Sequence, residues 1–273
     1  MTNGESRKTI RDYRPQPAPE RLINPRAGVV RVVLPAYNEE LSLPGLLNRL
    51  DVMFEESDLS VEVLIVNDGS TDRTVEVVER YDGPLPIRLI DCQPNRGLAE
   101  TIRTGLRGAL EQARPGDVIV TMDADNSHSP GLIPRMVSRI REGNDLVIAS
   151  RYQRGSRIRG LSWFRRTMSY AASWLFRIFC GLPAVRDYTC GYRAYRAELL
   201  EAAFSRYGHE LIQQTGFGCM AELLLKLKPL DPIIHEVPLI LRYDMKQSDS
   251  KMKIARTVRE TLLMLIRSKA ARW

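Results

Sequence analysis

Apolar and polar positions along the chain follow two alternating patterns. Short apolar runs, typical of buried strands, lead into polar loops, and most loops precede a segment with apolar residues at helical spacing. The apolar runs are Val29–Leu34, Val61–Val66, Ile87–Ile90, Val118–Met122 and Leu146–Ala149. Strand, polar loop and helix in regular succession predict an α/β fold with a Rossmann-like, doubly wound and mostly parallel sheet.

The pattern becomes less regular after the fifth apolar run. Met168–Cys180 is rich in large apolar groups and predicts a helix that either covers the sheet or lies near lipid. A further short helix is predicted at Ala221–Leu227. Ile233–Val237 and Leu239–Leu241 are predicted to be strands that complete the domain.

The two ends of the chain differ from the part between them. Residues 1–28 are basic and Pro-rich with few large apolar side chains, which predicts a disordered tail before a globular domain over 29–250. Residues 251–273 predict an amphipathic helix with seven Lys or Arg residues, one Glu and a terminal Trp. Its apolar face consists of Ile254, Val258, Thr261, Leu262, Leu265 and Ile266. This composition favours binding to a membrane interface or a partner over docking on the sheet.

Polar loops follow the first, second and fourth apolar runs. They contain Tyr37–Glu39, Asn67–Gly69 and Asp123–Asp125, and ligands of open α/β sheets bind beyond the carboxyl ends of the strands. All three loops are therefore expected at one edge of the sheet. Asp123 and Asp125 can present two oxygen ligands to Mg²⁺ or Mn²⁺ there. Taken alone, the acid pair is equally compatible with a solvated turn.

Charge and composition narrow the classes of function. A net charge of +7 and a pI near 9.4 suit an anionic partner such as phosphate, a membrane surface or nucleic acid. The four cysteines lack paired spacing, which favours a reduced, cytoplasmic setting. No apolar run approaches the roughly 18 residues of a membrane span. The three histidines lack metal-ligand spacing, so surface or packing roles are predicted for them.

Several common catalytic signatures are missing from the sequence. No Gly-x-Gly-x-x-Gly follows the first run, and the chain has no P-loop motif for nucleotide phosphates. It also lacks the Gly-x-Ser-x-Gly turn of serine hydrolases. Dinucleotide-dependent, P-loop and α/β-hydrolase chemistry are therefore not indicated.

The motifs at these loops resemble those of glycosyltransferase family 2 enzymes with the GT-A fold. In the second half, the resemblance is to dolichyl-phosphate mannose synthases and related polyprenyl-phosphate glycosyltransferases. The motifs are Pro35–Glu39, Asn67–Asp72, Asn95–Leu98, Asp123–Pro130, Ser150–Tyr152, Trp163–Arg166, Asp187–Tyr195, Glu236–Pro238 and Ser250–Lys251. The chain departs from its relatives at Asn67, where they usually carry a second Asp.

The resemblance implies a role for individual residues. Asp123 and Asp125, with Ser127 as a third ligand, would hold the metal, and the acid pair would act in catalysis through it. Arg151 and Arg165 would hold the acceptor phosphate, a role that suits the planar, bidentate guanidinium. The donor nucleotide-sugar would be bound by Pro35, Tyr37, Glu39, Val66, Asp68, Ser250 and Lys251.

The same resemblance implies a sugar transfer with inversion at the anomeric carbon. A phosphate monoester acceptor, with a second pKa near about 6, is already anionic at neutral pH and needs positioning more than a strong base. The favoured donor and acceptor are GDP-mannose and dolichyl phosphate or another polyprenyl phosphate. The expected location is peripheral, on the cytosolic face of a membrane, with the membrane surface and a small membrane subunit as candidate partners.

Three alternatives remain at this stage. The first is the same chemistry with a UDP-sugar donor and undecaprenyl phosphate. The second is a phosphatase with an Asp-x-Asp nucleophile, although that chemistry expects its acid pair after the first strand. The third is a non-catalytic anion-binding protein; binding to nucleic acid is disfavoured because the basic residues are not interleaved with aromatic ones.

Overall fold

The computed structural model describes residues 8–13, 28–160, 176–177, 180–214, 216–242 and 244. The strands are β1 (Lys8–Tyr13), β2 (Val30–Ala36), β3 (Val61–Asp68), β4 (Ile87–Cys92), β5 (Val118–Thr121), β6 (Leu146–Ser150), β7 (Arg157–Arg159), β8 (Arg193–Arg196), β9 (Ile234–Pro238) and β10 (Ile240–Arg242). The α-helices are α1 (Leu43–Glu56), α2 (Thr74–Glu79), α3 (Leu98–Leu110), α4 (Ile133–Arg141), α5 (Ala197–Tyr207) and α6 (Cys219–Leu227).

Eight of these strands form one sheet in the order β1-β4-β3-β2-β5-β8-β6-β9. Strands β4, β3, β2 and β5 run parallel to one another, and β6 runs parallel to β9. The five strands predicted from apolar runs are all present, each within two residues of its predicted limits. The predicted doubly wound, mostly parallel sheet is therefore confirmed.

The central strands are buried on both faces, as continuous apolar runs require. In β2, Val32, Val33 and Leu34 have no exposed surface, and β5 and β6 are buried along their whole length. Helix α1 covers the sheet with Leu43, Leu46, Leu47 and Leu50, the face that its spacing predicts. The core thus holds the strands rigidly, and their carboxyl ends present the polar loops to solvent.

An additional strand, β1, corrects the prediction that residues 1–28 form a disordered tail. Lys8–Tyr13 pairs antiparallel with β4, with Lys8 opposite Cys92. The pairing covers the backbone groups that β4 would otherwise expose at the sheet edge. Thr9, Ile10 and Tyr13 favour strand geometry, and the Pro-rich composition of the surrounding segment concealed this. Apart from Gly28, the rest of the predicted tail lies outside the described residues.

Strand β8 is a second element that the apolar pattern did not predict. It runs antiparallel between β5 and β6. Two of its four residues are arginines, which obscures the apolar run of a buried strand. Arg193 is nevertheless fully buried and donates to the carbonyl oxygens of Met220 and Tyr188 at 2.8 and 2.7 Å. These bonds offset part of the cost of burying the guanidinium in the core.

The second of the two predicted carboxyl-terminal strands lies outside the main sheet. The predicted Leu239–Leu241 strand is found as β10, but it pairs with β7 in a separate two-stranded sheet. The predicted helix at Ala221–Leu227 is confirmed as part of α6, and Ile233–Val237 as β9. Most of the predicted Met168–Cys180 helix and all of the predicted 251–273 helix lie outside the described residues. Among the helices that the structure describes, none combines the length and apolar character that a bilayer crossing needs.

Candidate active site

The loops after β2 and β3 are joined to each other by hydrogen bonds. The backbone N–H of Asn38 donates to the Ser70 hydroxyl at 2.9 Å, and the N–H of Thr71 donates to the Asn38 side-chain oxygen at 2.8 Å. The N–H of Glu39 donates to the Thr74 hydroxyl at 2.8 Å. Asn38 adopts a positive φ of 53°, which asparagine tolerates better than most residues. The predicted convergence of the first two polar loops is confirmed.

The loop after β4 is attached to the same group through Asp68. The carboxylate of Asp68 accepts the backbone N–H groups of Arg96 and Gly97 at 2.8 and 2.9 Å. The adjacent Gly69 has φ 67°, and a Cβ there would lie 2.5 Å from the backbone nitrogen of Asn95. Only glycine therefore permits this close approach of the two loops. We call the joined loops 37–42, 69–73 and 93–97 the donor-side loops.

Asn67, where relatives usually carry Asp, has a structural partner. Its side-chain amide donates to Asp91 at the end of β4, at 2.7 Å, and the residue is fully buried. A second aspartate at this position would place two carboxylates together, and the amide avoids that repulsion. The departure at Asn67 thus matches Asp91 of this chain.

The acid pair lies in the loop after β5, and its two members differ in exposure. The Asp123 side chain is 39% exposed, whereas Asp125 is only 8% exposed. One oxygen of Asp125 accepts the backbone N–H and the hydroxyl of Ser127, at 3.0 and 2.6 Å. Asn126, between Asp125 and Ser127 in the chain, has φ 62°. Its side-chain oxygen accepts an N–H of Arg49 of α1 at 2.7 Å. These contacts fix the direction of the Asp125 carboxylate.

Gly191 and Tyr192, which precede β8, lie against the loop of residues 122–129 that follows β5 and that we call the acid loop. The Thr121 hydroxyl donates to the carbonyl oxygen of Gly191 at 2.6 Å, and a Cβ at Gly191 would lie 3.2 Å from an Asp123 oxygen. Tyr192 stacks on His128 with ring centroids 5.0 Å apart and donates to the Ser129 carbonyl at 2.9 Å. Glycine at 191 therefore leaves room for Asp123, and Tyr192 holds the end of the acid loop.

A buried network of charged groups lies beyond the end of β6. Arg151 donates from Nε and Nη2 to the two carboxylate oxygens of Asp187, at 2.8 and 2.6 Å, and from Nη2 to Thr189 at 2.6 Å. Glu236 of β9 accepts the backbone N–H groups of Arg186 and Asp187 at 2.7 and 2.8 Å. We call Arg151, Asp187 and Glu236 the acceptor-side network.

The pKa values of the two carboxylates of this network are shifted in opposite directions. Burial by itself would raise the pKa of Asp187, but the Arg151 charge and hydrogen bonds hold that pKa below its ordinary value. For Glu236, burial dominates over the bonds from Arg186 and Asp187, and its pKa is raised. The network therefore contains one firmly ionised pair and one carboxylate that binds a proton more readily than in water.

The structure brings together most of the predicted site residues that it describes. Pro35, Tyr37 and Glu39 are half-buried at the end of β2, beside Asp68. Val66 is fully buried within β3, so the structure gives it a core role. Ser127 is 2% exposed and binds Asp125, so its observed role is to position that carboxylate. Two assignments stay predictions: Ser127 as a metal ligand and Val66 as a nucleotide contact. Arg165, Ser250 and Lys251 lie outside the described residues.

The sequence pattern does not predict roles for Arg49, Asp187, Tyr192 or Glu236. Asp187, Tyr192 and Glu236 belong to motifs shared with the family, but nothing in their local pattern indicates which side chain they contact. Their partners lie far along the chain, as for Asp187 and Arg151, which are 36 positions apart. Of the three histidines, for which surface or packing roles are predicted, His209 is exposed and His235 is half-buried. His128 is buried, stacks on Tyr192 and accepts the backbone N–H of Asp123 at 3.3 Å.

The donor set of the acid loop fits a hard divalent cation. Mg²⁺ is usually bound by one or two carboxylates together with substrate phosphates and water, not by a closed protein cage. Asp123 and Asp125 provide two carboxylates within three residues at the carboxyl end of β5. The described residues contain no group of three or more His, Cys, Asp or Glu side chains arranged for a metal. A diphosphate substrate would therefore supply further oxygen ligands.

The fold and this site define a class of enzyme. An α/β sheet with an Asp-x-Asp loop after β5 is the arrangement expected for a GT-A glycosyltransferase. The chain matches the family described as glycosyl transferase family 2 over residues 31–204, from β2 into α5. The chain belongs to this family, and the resemblance inferred from its motifs is confirmed.

Relatives with assigned names transfer sugars to polyprenyl phosphates. The chain is 35% identical to the undecaprenyl-phosphate mannosyltransferase of Micrococcus luteus, over 89% of this chain and 96% of that protein. It is 34% identical to the dolichol-phosphate mannosyltransferase of Pyrococcus furiosus, over 73% of this chain. The match spans only 53% of the Pyrococcus protein, about half its length. A third relative, from Aeromonas hydrophila, is an undecaprenyl-phosphate 4-deoxy-4-formamido-L-arabinose transferase with 33% identity over 64% of this chain and 51% of its own length.

Solved structures confirm the fold class. Glucosyl-3-phosphoglycerate synthase from Mycobacterium tuberculosis, in complex with Mn²⁺, uridine diphosphate and phosphoglyceric acid, superposes with a TM-score of 0.60. The match covers 92% of this chain and 84% of that chain at 23% sequence identity. The GT-A fold is therefore established for this chain, as its motifs predict.

Proposed function

We propose that the protein transfers mannose from GDP-mannose to a polyprenyl phosphate with inversion, giving a β-linked lipid phosphosugar. The observation that supports the proposal is the placement of the acid pair and Arg151 on one sheet edge. Asp123 and Asp125 follow β5, and Arg151 follows β6, with only β8 between these strands. Adjacent strands lie about 4.8 Å apart, so the acid pair and Arg151 are separated by roughly 10 Å. That spacing suits a sugar passing from a diphosphate to a phosphate.

The names of the relatives support the choice of sugar and acceptor. Two of them are mannosyltransferases, one acting on dolichol phosphate and the other on undecaprenyl phosphate. The alternative donor, a UDP-sugar used with undecaprenyl phosphate, keeps the same site and the same chemistry. Matches of this kind support the class of acceptor, a polyprenyl phosphate, more strongly than the donor base or the lipid length.

Arg151 is proposed to orient the acceptor phosphate. Its bonds to Asp187 and Thr189 use Nε and Nη2, and a guanidinium carries two further N–H donors on Nη1. Asp187 prevents the guanidinium from rotating, so the donors keep one direction in space. An acceptor phosphate is anionic at neutral pH, and a general base is not needed for its attack. Arg165, the second predicted acceptor residue, would share this phosphate.

Asp123 and Asp125 are proposed to hold Mg²⁺ or Mn²⁺ against the donor diphosphate. When bound, the cation supplies positive charge that stabilises the leaving diphosphate. Ser127 and Arg49 keep the acid loop in one conformation, which lowers the cost of placing the donor. Pro35, Tyr37, Glu39 and Asp68 are proposed to contact the base and ribose. Ser250 and Lys251 are proposed to contact the diphosphate.

A polyprenyl phosphate is held in a membrane, so the site must reach a lipid surface. We propose peripheral attachment on the cytosolic face through residues 251–273, with a small membrane subunit as a further partner. Removal of residues 252–273 should lower activity on long polyprenyl phosphates more than activity on a short, soluble acceptor phosphate. Equal losses on both acceptors would contradict a membrane role for this segment.

A donor and acceptor screen tests the proposed reaction. The purified protein would be incubated with radiolabelled GDP-mannose, UDP-glucose or a UDP-aminosugar, with undecaprenyl or dolichyl phosphate, and with Mg²⁺ or Mn²⁺. We expect label in the lipid fraction with GDP-mannose, and a β configuration by NMR of the product. Transfer only from a UDP-sugar would replace the donor, and an α product would overturn inversion. Phosphate release without transfer would favour the phosphatase alternative.

A further inference from the structure

The two-stranded sheet of β7 and β10 has two unlike faces. Ile240 pairs with Arg157, Leu241 with Ile158, and Arg242 with Arg159. Because side chains alternate along strands, Ile158 and Leu241 share the inner face, and Leu241 is only 3% exposed. The outer face carries Arg157, Arg159 and Ile240, all exposed, with Ile240 at 49%. We call these three residues, with their strands, the basic ribbon.

The charge on the outer face of the basic ribbon is almost all positive. The strands read Arg-Ile-Arg and Ile-Leu-Arg, and neither contains an acidic residue. Arg242 is bound by Asp244 at 2.8 Å, so that pair is close to neutral. Arg154, in the turn that leads into β7, is also exposed and adds to the positive charge. An exposed aliphatic side chain surrounded by arginines is complementary to an anionic lipid surface.

The basic ribbon is hydrogen-bonded both to the end of β6, next to Arg151, and to the acid loop. The backbone N–H of Leu239 donates to the Ser150 carbonyl, immediately before Arg151, at 3.0 Å. The N–H of Arg157 donates to Leu239 at 3.0 Å, which joins β7 to the start of β10. At the other end, the N–H of Arg242 donates to the Ser127 carbonyl of the acid loop at 3.0 Å. The ribbon is therefore a fixed rim of the edge where Arg151 lies.

We propose that the basic ribbon contacts the headgroups of an anionic lipid bilayer and thereby presents the Arg151 side of the site to the membrane. This inference rests on the proposed function, because a lipid phosphate acceptor requires that edge to approach a bilayer. Arg157 and Arg159 bind headgroup phosphates, and Ile240 enters the interface. The surface acts in addition to residues 251–273.

Nucleic acid is the other polyanion that a basic ribbon could bind. Binding of single strands normally combines positive charge with aromatic side chains that stack on bases. The six residues of β7 and β10 include no aromatic residue. The ribbon is also only three residues long in each strand, with a single exposed aliphatic residue between its arginines. These features favour lipid headgroups, and RNA binding is kept as an outcome of the test.

Vesicle binding by the full-length chain tests the inference. The variant Arg157→Gln with Arg159→Gln is compared with wild type in sedimentation with vesicles of phosphatidylglycerol and phosphatidylcholine in equal parts. Each Lys or Arg near an anionic surface contributes about 1 kcal/mol, so two should change partitioning by about thirtyfold. The matched control is Arg107→Gln with Arg114→Gln, two exposed arginines on α3 and in the connection to the amino end of β5. The control removes the same charge from elsewhere and should change partitioning by less than about threefold.

Three results would overturn the inference. Wild type that fails to bind the anionic vesicles at low salt has no such surface. Equal losses in the ribbon variant and the control would indicate a response to net charge alone. A ribbon variant that loses retention on single-stranded RNA but keeps vesicle binding would assign the ribbon to nucleic acid. Thermal unfolding of each variant shows whether a loss reflects folding.

A labelling experiment reads the position of the ribbon directly. Ile240→Cys is introduced with Cys92→Ser, since the other three cysteines are buried, and is coupled to a polarity-sensitive fluorophore. We expect a blue shift on addition of the anionic vesicles. Val52→Cys, at an exposed position on α1 with 51% exposure, serves as the matched label site and should not shift. A shift at both sites or at neither would contradict the proposed orientation.

The outcome also separates this inference from the proposed reaction. Vesicle binding and the fluorescence shift are measured without any nucleotide-sugar. A fluorescence shift that depends on the ribbon, together with no transfer to any polyprenyl phosphate, would support the lipid-binding surface and contradict the proposed function. Transfer to polyprenyl phosphate, together with identical vesicle binding by the ribbon variant and its control, would support the proposed function and contradict the role of the ribbon.

Discussion

The donor-side loops and the acceptor-side network stabilise the same sheet edge by different means. On the donor side, backbone N–H groups of half-buried or exposed residues donate to side-chain oxygens, as Thr71 does to Asn38. On the acceptor side, a carboxylate with no exposed surface holds the Arg151 guanidinium. Water can replace lost bonds in the first region but not in the second. The donor side can therefore tolerate change, whereas the acceptor side cannot.

The acid loop lies between the two regions, and its loss should have the largest effect. Asp125→Asn should lower transfer at least about a hundredfold, because charge held at a metal contributes several kcal/mol to the transition state. The fold should be unchanged, since an amide oxygen can still accept the bonds from Ser127. Turnover would be measured at saturating metal and donor. Asp58→Asn, an exposed position at the amino end of β3, is the control, and near-normal turnover of Asp125→Asn would remove the assignment.

Breaking the acceptor-side network should cost the most stability. Asp187→Asn leaves the Arg151 charge poorly compensated, which should lower the free energy of unfolding by about 3 kcal/mol. Burial alone would raise the pKa of Asp187, but Arg151 holds it below its ordinary value, so the stabilisation is present above that ordinary value and is lost as pH falls through the folded pKa. The two proteins should therefore converge in stability in acid. Urea unfolding at several pH values measures this.

The matched change on the surface sharpens the contrast. Asp244→Asn disrupts an exposed pair with Arg242 and should not change the unfolding midpoint measurably. If both variants unfold alike at neutral pH, the burial of the acceptor-side network has no energetic meaning. In the same proteins, only Asp187→Asn should raise KM for the acceptor more than KM for the donor.

A smaller effect is expected on the donor side. Asp68→Ala removes two hydrogen bonds to backbone N–H groups, but Arg96 is exposed and water can reach its N–H. The free energy of unfolding should fall by about 1–2 kcal/mol. KM for the nucleotide-sugar should rise several-fold, while KM for the acceptor phosphate stays constant. An equal change in KM for the acceptor would show that the donor-side loops and the acceptor-side network do not act separately.

The smallest effect is expected where the acid loop meets β8. Tyr192→Phe keeps the ring against His128 and removes only the hydrogen bond to the Ser129 carbonyl. Stability should fall by about 1 kcal/mol, with turnover changed less than twofold. Thermal unfolding and initial rates measure both. A large loss of turnover would mean that this hydroxyl positions the acid loop for catalysis.

The strands of the central sheet could be predicted because burial on both faces leaves a continuous apolar run, as in Leu146–Ala149. The acid pair could be predicted because both carboxylates are adjacent in sequence and follow such a run. Asp187 and Glu236 could not be assigned contacts, since their partners are set by the antiparallel insertion of β8. Arg193 shows why that strand could not be predicted: a fully buried arginine that donates to carbonyl oxygens looks like a surface residue in the sequence.

The pairing of β1 with β4 determines how late this edge of the sheet can form during synthesis of the chain. Lys8 pairs with Cys92, so the two partners are separated by 84 positions along the chain, which is 92 minus 8. At about 5–20 residues per second, a ribosome needs roughly 4–17 seconds to synthesise that interval. Ile10, which lies opposite Ile90 in the sheet, remains without its strand partner during this time. This edge of the sheet can therefore close only after β4 has been synthesised. Nascent chains halted before β4 should expose β1 to chaperones.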